Sequence, residues 1–442
     1  MNSESVARSQ QDGRWTTWTA VMMVASMATL VQSYTEVKLF FLMLFLLTSM
    51  LGVAFGRKKI VVHQRIIFFY LWIGEAGVVW AFVGLLHHSN YDQGVWDALR
   101  LYFLWSIVFL VLYNLLRAQP SLRIMHKAMV VAGILIPLIN FAGLYDQFSG
   151  AGLISEGVLQ QLNLRIGFGD GYTQITSRNI DLMFLIAPYL LSIQFRADAG
   201  KSNSVLAKLA LALSLILVAV SGRRALWIVV ALTPCTILLL ARLTGSCSLI
   251  KSGGRRFLLV CAAAGILGLS SLLILPQGSV DVGSISHLKE AFSLEDERTI
   301  QRPYLVRGFM NSPVFGSGFG AYAGYVRSDE RPWTYELTYY QMLFNLGVAG
   351  VAALGIVFSV YFVRVVRLLR QFKHGSVLPF ALLVGYCSLF LGAYSNPYFG
   401  SFDLLFFVGL LPYLSTFQHG FDGPRLAGRT PLSPFASERQ SA

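Results

Sequence analysis

Twelve apolar runs, each long enough to cross a bilayer, follow one another along this chain, and no soluble fold accommodates them. They fall at about 17–33, 37–55, 66–86, 96–116, 128–145, 180–196, 204–221, 225–242, 257–276, 337–363, 377–395 and 402–418. Hydrophobic residues make up 55% of the chain and charged residues only 13%, more apolar surface than a soluble exterior carries. The expected fold class is an all-α integral membrane protein of about twelve transmembrane helices, with a large loop between spans nine and ten.

Orientation follows from charge. Arg57-Lys58-Lys59, Arg117 to Lys127, Arg196 to Lys208, Arg242 to Arg256 and Arg364 to Lys373 fall between alternate runs. The positive-inside rule assigns all of these loops, and with them both termini, to the cytoplasm. The net charge of +13 then reflects orientation, and no nucleic-acid partner is expected. Residues 1–16 read as a polar tail before a retained first span rather than a signal peptide. Residues 419–442, basic and rich in Pro and Gly, read as a disordered tail. The four cysteines lie in spans or in a basic loop, giving neither a disulfide framework nor metal-ligand spacing. No metal or other cofactor is expected.

Chemistry is expected on the opposite face, where two segments are long, 146–179 and 277–336. That face holds Arg165, Arg178, Arg223, Arg224, Arg298, Arg302, Arg307, Arg327 and Arg331, whereas Lys289 is the one lysine of its polar loops. Guanidinium forks match phosphate and carboxylate geometry. The plainer explanation is that long translocated loops escape the charge rule.

Three stretches concentrate the candidate chemistry. Ser221-Gly222-Arg223-Arg224-Ala225 forms a tight turn between spans seven and eight, holding two arginines at phosphate height or simply snorkelling to headgroups. In the large loop, Arg298 and Arg302 share a face if helical. Pro303 interrupts that helix or begins a new one carrying Arg307. Pro313-Val314-Phe315-Gly316-Ser317-Gly318 follows, its glycines allowing close approach to a ligand or marking a plain flexible loop. Finally, Trp333-Thr334-Tyr335-Glu336 leads into span ten, where a carboxylate among aromatics is a candidate base and the aromatics equally form an interface belt. Within the spans, Glu75 is the most isolated charge, with Arg100 as a possible partner or a structural polar contact as the alternative.

The Ser-Gly-Arg-Arg-Ala turn, the Pro-x-x-Gly-x-Gly segment and the helix from Glu336 to Gly350 resemble, in order and spacing over about residues 165–360, the motifs of the O-antigen ligase and polymerase superfamily. The resemblance implies a bacterial inner-membrane glycosyltransferase of GT-C-like architecture with its active face in the periplasm. Such enzymes move a glycan from undecaprenyl diphosphate to a sugar hydroxyl without nucleotide or metal. It implies as partners the undecaprenyl-diphosphate-linked glycan, membrane lipid, a chain-length regulator and a flippase. Carried over to this sequence, Glu336 and Arg224 would be catalytic, and Arg223, Arg302, Arg307, Arg165 and Tyr335 would bind diphosphate or substrate. Ligases of the superfamily place a His-Asn pair where this chain has Glu336. That departure favours a polymerase of repeat units, making O-antigen, capsule or exopolysaccharide, over a ligase acting on lipid A-core or protein. A polytopic transporter is the alternative from another class, although the chain shows no half-to-half symmetry.

Overall fold

The structure, a computed structural model, describes residues 3–55, 62–87, 91–117, 121–169, 172–261, 297–372, 376–395 and 400–417. Most of the ninth expected span, the first part of the large loop, the Arg57-Lys58-Lys59 loop and the C-terminal tail lie outside the described residues.

The apolar runs form helices: α1 (Ser3–Thr29), α2 (Thr35–Ala54), α3 (Gln64–Leu86), α4 (Asp92–Ala98), α5 (Trp105–Arg117) and α6 (Ser121–Ser149), then α7 (Glu156–Leu162), α8 (Met183–Phe195), α9 (Val205–Val220) and α10 (Arg224–Leu243). After the large loop come α11 (Glu297–Asn311), α12 (Thr338–Gln371), α13 (Val377–Gly392), α14 (Phe402–Val408) and α15 (Leu410–Leu414). Among the described residues, six helical stretches are long and apolar enough to cross a membrane: Thr35–Ala54, Gln64–Leu86, Asp92–Arg117, Leu122–Ser149, Arg224–Leu243 and Thr338–Gln371. The shorter apolar helices have a different physical setting. α8 and α13 are buried on nearly every side and pack against each other, so their sequences are apolar all round rather than striped. Gly385 lets α13 close on the Leu185 carbonyl, which a β-carbon would meet at 2.6 Å.

The long segment 146–179 carries a short hairpin within the otherwise helical fold: Arg165–Gly169 (β1) and Tyr172–Thr176 (β2) pair antiparallel, Arg165 opposite Thr176. This short alternating pattern carries little weight beside a membrane-length apolar run. Pro303 neither starts nor stops a helix, since α11 runs through it from Glu297 to Asn311. One missing amide costs a single intrahelical bond, and Leu305 on the same helix is fully buried.

Contacts divide the helix ends between two faces. On one, Arg178 donates to the Gln32 carbonyl, the Gln32 amide donates to Asp403, and Tyr339 on α12 donates to the Phe390 carbonyl. On the other, Arg65 and Arg364 donate to the Ser415 carbonyl, Arg117 donates to Thr416, and Arg370 donates to the Leu243 carbonyl. Arg65, Arg117 and Arg364 therefore converge on residues 415–416.

Residues 313–320 form a strap laid across α3 and α12. Gly347 breaks α12 (φ 61, ψ −173). A broken helix at this depth needs its backbone groups satisfied by protein, and the strap supplies the partners. Val348 and Ala349 donate to the Pro313 and Val314 carbonyls, both at 2.9 Å. Ser317 and Gly318 donate to the Phe344 and Asn345 carbonyls at 2.8 and 2.9 Å, and Phe319 donates to the Trp80 carbonyl on α3 at 3.0 Å. The Trp80 indole, in turn, donates to the Phe315 and Leu346 carbonyls at 2.9 and 3.0 Å. The glycines of the Pro-x-x-Gly-x-Gly segment thus serve backbone-to-backbone packing. A β-carbon on Gly318 (φ 78) would stand 2.1 Å from the Gly84 amide nitrogen. Gly318→Val should therefore cost about 2–4 kcal/mol from backbone strain and overpacking, seen as a lowered unfolding temperature in detergent.

Candidate functional site

The strap and α11 bring the start of α12 into a cluster of guanidinium groups. Leu305, Ala321, Tyr335, Leu337 and Phe344 pack as a separate small apolar core, fixing α11 against the segment that enters α12. Gln301, fully buried, accepts from the Glu336 amide at 3.0 Å. The Glu336 carboxylate then lies between two arginines. Arg298 Nε donates to Oε2 and Arg327 donates to Oε1, both at 2.8 Å. Glu336 is only 15% exposed at its side chain, while Arg298 and Arg327 keep 37% and 32%. Both arginine side chains therefore keep about a third of their surface exposed. Arg302 stands over the Tyr340 ring, 5.6 Å from its centre, so the face shared by Arg298 and Arg302 does turn toward the start of α12. Arg302 and Arg307 are both exposed.

Tyr335 has a different task from the substrate contact expected of it. Its side chain is fully buried in the small core, and its hydroxyl accepts from the Ala323 amide at 2.7 Å. Burial pushes its phenol up to about 12, so it stays neutral through the working range, and its place in the small core turns it away from the surface. Tyr335→Phe should keep activity and its pH profile between pH 6 and 9 while lowering the unfolding temperature. Leaving the Ala323 amide without its acceptor costs about 1–3 kcal/mol.

The Ser-Gly-Arg-Arg turn is built into the other long loop. The Ile175 amide of β2 donates to the Ser221 carbonyl at 3.0 Å. Arg223 pairs with Asp181 and donates to the Ser177 carbonyl at 3.2 Å. A buried knot of Asn140, Ser177 and Asn179 lies beneath. Arg223 therefore ties the turn to the hairpin segment, and Arg224 follows it as the first residue of α10, half-buried. Arg165 is exposed on β1. Among the described residues, Arg223 is held by the 165–182 segment, with Arg224 next to it in sequence, and Arg302 and Glu336 meet at α11 and the start of α12, so the expected site residues fall into two groups.

A cavity of about 580 Å³ lies beside the Glu336 group, between α3, the α4–α5 stretch and α12. Its lining includes Asp97, Arg331, Trp333, Thr334, Thr338 and Gln341 together with Leu101, Leu354, Phe358, Phe390, Leu405 and Val408. Lining positions run along α12 from Thr338 to Ser359, about 30 Å at helical rise. Thr334 and Thr338, two residues to either side of Glu336, line the cavity, so the Glu336 group adjoins it in the chain. The sequence gives no sign that Arg298 and Arg327 would hold Glu336, nor that Arg331 and Asp97 would meet at one cavity, because these neighbours are 9 to 38 residues apart or more. Glu75 does not meet Arg100. Glu75 is exposed on α3, and Arg100 donates to Asp97 at 2.8 Å, one helical turn away.

No protein-family model matches this chain, and no curated protein matches its sequence.

Proposed function

We propose that the chain is a polymerase of lipid-diphosphate-linked oligosaccharide repeat units, acting on the outer face of a bacterial inner membrane. The observation that carries the reading is the cavity beside Glu336. Its lining is mostly apolar, with Asp97, Arg331, Thr334, Thr338 and Gln341 among its polar residues, a combination that suits a polyprenyl chain ending in an anionic headgroup. Arg331 on its lining answers the leaving group, a diphosphate whose charge grows as the glycosidic bond breaks. In this reading Arg302 and Arg307 bind diphosphate, and Arg224, Arg223 and Arg165 form a second group of substrate contacts. Glu336 takes the proton of the attacking sugar hydroxyl, and the His-Asn pair expected of a ligase is missing from its position. Twelve spans, with the basic face in the cytoplasm and the Glu336 face in the periplasm, belong to the same reading. A chain-length regulator and a flippase are the expected partners.

A gel of surface and carrier-linked glycans from a strain lacking the gene tests it. Single repeat units on the acceptor or on carrier lipid are the expected outcome. Long polymer on carrier lipid beside a bare final acceptor would make the protein a ligase instead. Unchanged glycan together with protein-dependent solute uptake into vesicles would make it a transporter.

A further inference from the structure

The base assigned to Glu336 and the geometry around it pull in opposite directions. Each carboxylate oxygen already accepts a charge-assisted hydrogen bond from a guanidinium at 2.8 Å, and adding a proton there forfeits part of both. The amide of the same residue is pinned by buried Gln301, so the carboxylate cannot swing away from its arginines by moving the backbone. What can leave are the arginines. They retain about a third of their exposure, whereas the carboxylate keeps 15%. Arg298 sits on the second residue of α11 and Arg327 on the irregular segment between the strap and α12.

We infer that Arg298 and Arg327 are exchangeable donors that the lipid diphosphate takes over from Glu336, so that the carboxylate becomes a base only when the donor is bound. This rests on the polymerase reading for its ligand. A diphosphate offers more acceptor oxygens and more negative charge than one carboxylate, and guanidinium forks fit phosphate bidentately. Each arginine turning outward therefore gains a partner as it gives one up. The reaction then closes in one proton count. The acceptor sugar's hydroxyl oxygen forms a bond to the anomeric carbon as its proton passes to Glu336. The bond from that carbon to the diphosphate oxygen breaks, with the electron pair leaving on the diphosphate, where Arg298 and Arg327 now sit. Glu336 returns its proton to water and recovers the arginines when the lipid diphosphate departs. In the donor-free state each carboxylate oxygen is already engaged by a guanidinium, which makes it a poorer acceptor for the proton of a stray hydroxyl or water.

The test is equilibrium binding of geranyl diphosphate, a soluble prenyl diphosphate, to the purified full-length protein in detergent, with inorganic diphosphate alongside. Exchange makes Glu336 a competitor of the ligand. Glu336→Gln should therefore bind geranyl diphosphate about tenfold more tightly than wild type, and Arg298→Gln and Arg327→Gln about tenfold more weakly, each the worth of one charge-assisted hydrogen bond. A weaker-binding Glu336→Gln would mean that the carboxylate only positions the arginines, and would overturn the exchange. Unchanged affinity in both arginine variants would do the same. Geranyl diphosphate should also bind more tightly than inorganic diphosphate, because its chain has the cavity to enter; equal affinities would mark a free-anion site and overturn a donor-driven exchange. Infrared difference spectra of wild type with and without the probe keep the idea testable should a variant fail to fold. A shifted carboxylate band is expected, and a flat carboxylate region overturns the proposal. The glycan gel decides polymerisation and the binding series decides the exchange, so the two readings fail separately.

Discussion

Glu336→Gln should lower polymerisation by about 10²–10⁴-fold, the usual worth of a positioned general base. The substitution keeps size and leaves the Gln301 contact to the Glu336 amide intact, so folding should survive. Glutamine has one acceptor oxygen and an NH₂ group, which turns donors toward one of the two guanidiniums where a carboxylate offered a charge-assisted acceptor. The measurement is glycan chain length in a strain carrying the variant, with protein level checked in the membrane fraction. The expected phenotype is single repeat units on carrier lipid beside normal protein. A normal chain-length distribution would remove Glu336 from the reaction. Arg302→Gln and Arg307→Gln should give graded losses, because several guanidiniums share one leaving group and no single exposed arginine carries the whole charge.

The second large effect concerns stability. Lys38 and Asp403 form an ion pair in which both side chains are 0% exposed, with Nζ 2.8 and 2.9 Å from the two carboxylate oxygens. The Gln32 amide adds a third hydrogen bond to Asp403, and the Phe402 ring lies 4.3 Å from the ammonium. The pair joins the beginning of α2 to the beginning of α14, two helices more than 360 residues apart along the chain. Lys38→Met or Asp403→Leu alone leaves a buried charge without its counter-ion and should cost about 3–5 kcal/mol. The double variant Lys38→Met with Asp403→Leu should recover most of that, since an apolar pair carries no desolvation penalty. Thermal unfolding of the purified protein in detergent would show both effects. Equal losses in the single and double variants would mean that packing, not charge pairing, holds this junction.

These two sites illustrate what could be read in advance. Glu336 stands out in sequence because a carboxylate at the edge of an apolar run is costly, and cost is legible one residue at a time. Lys38 stands at the edge of a run in the same way, yet nothing local distinguishes a lysine that pairs across the bundle from one that snorkels. The family resemblance makes Tyr335 a substrate contact. Adjacent residues on an irregular segment need not face the same way, and this one turns inward to the Ala323 amide.

The sequence by itself determined that the chain is mostly helical, with several helices apolar and long enough to cross a membrane. Apolar length is a local quantity, and the bilayer acts on it locally. It also pointed to the start of α12 as a place for chemistry. Only the tertiary structure decided that the glycines of the strap meet backbone rather than ligand, that Gly347 breaks α12 where the strap can satisfy it, and that Glu336 is held by Arg298 and Arg327. Those facts depend on which distant segments come within hydrogen-bonding distance, and such distances arise only when the helices pack.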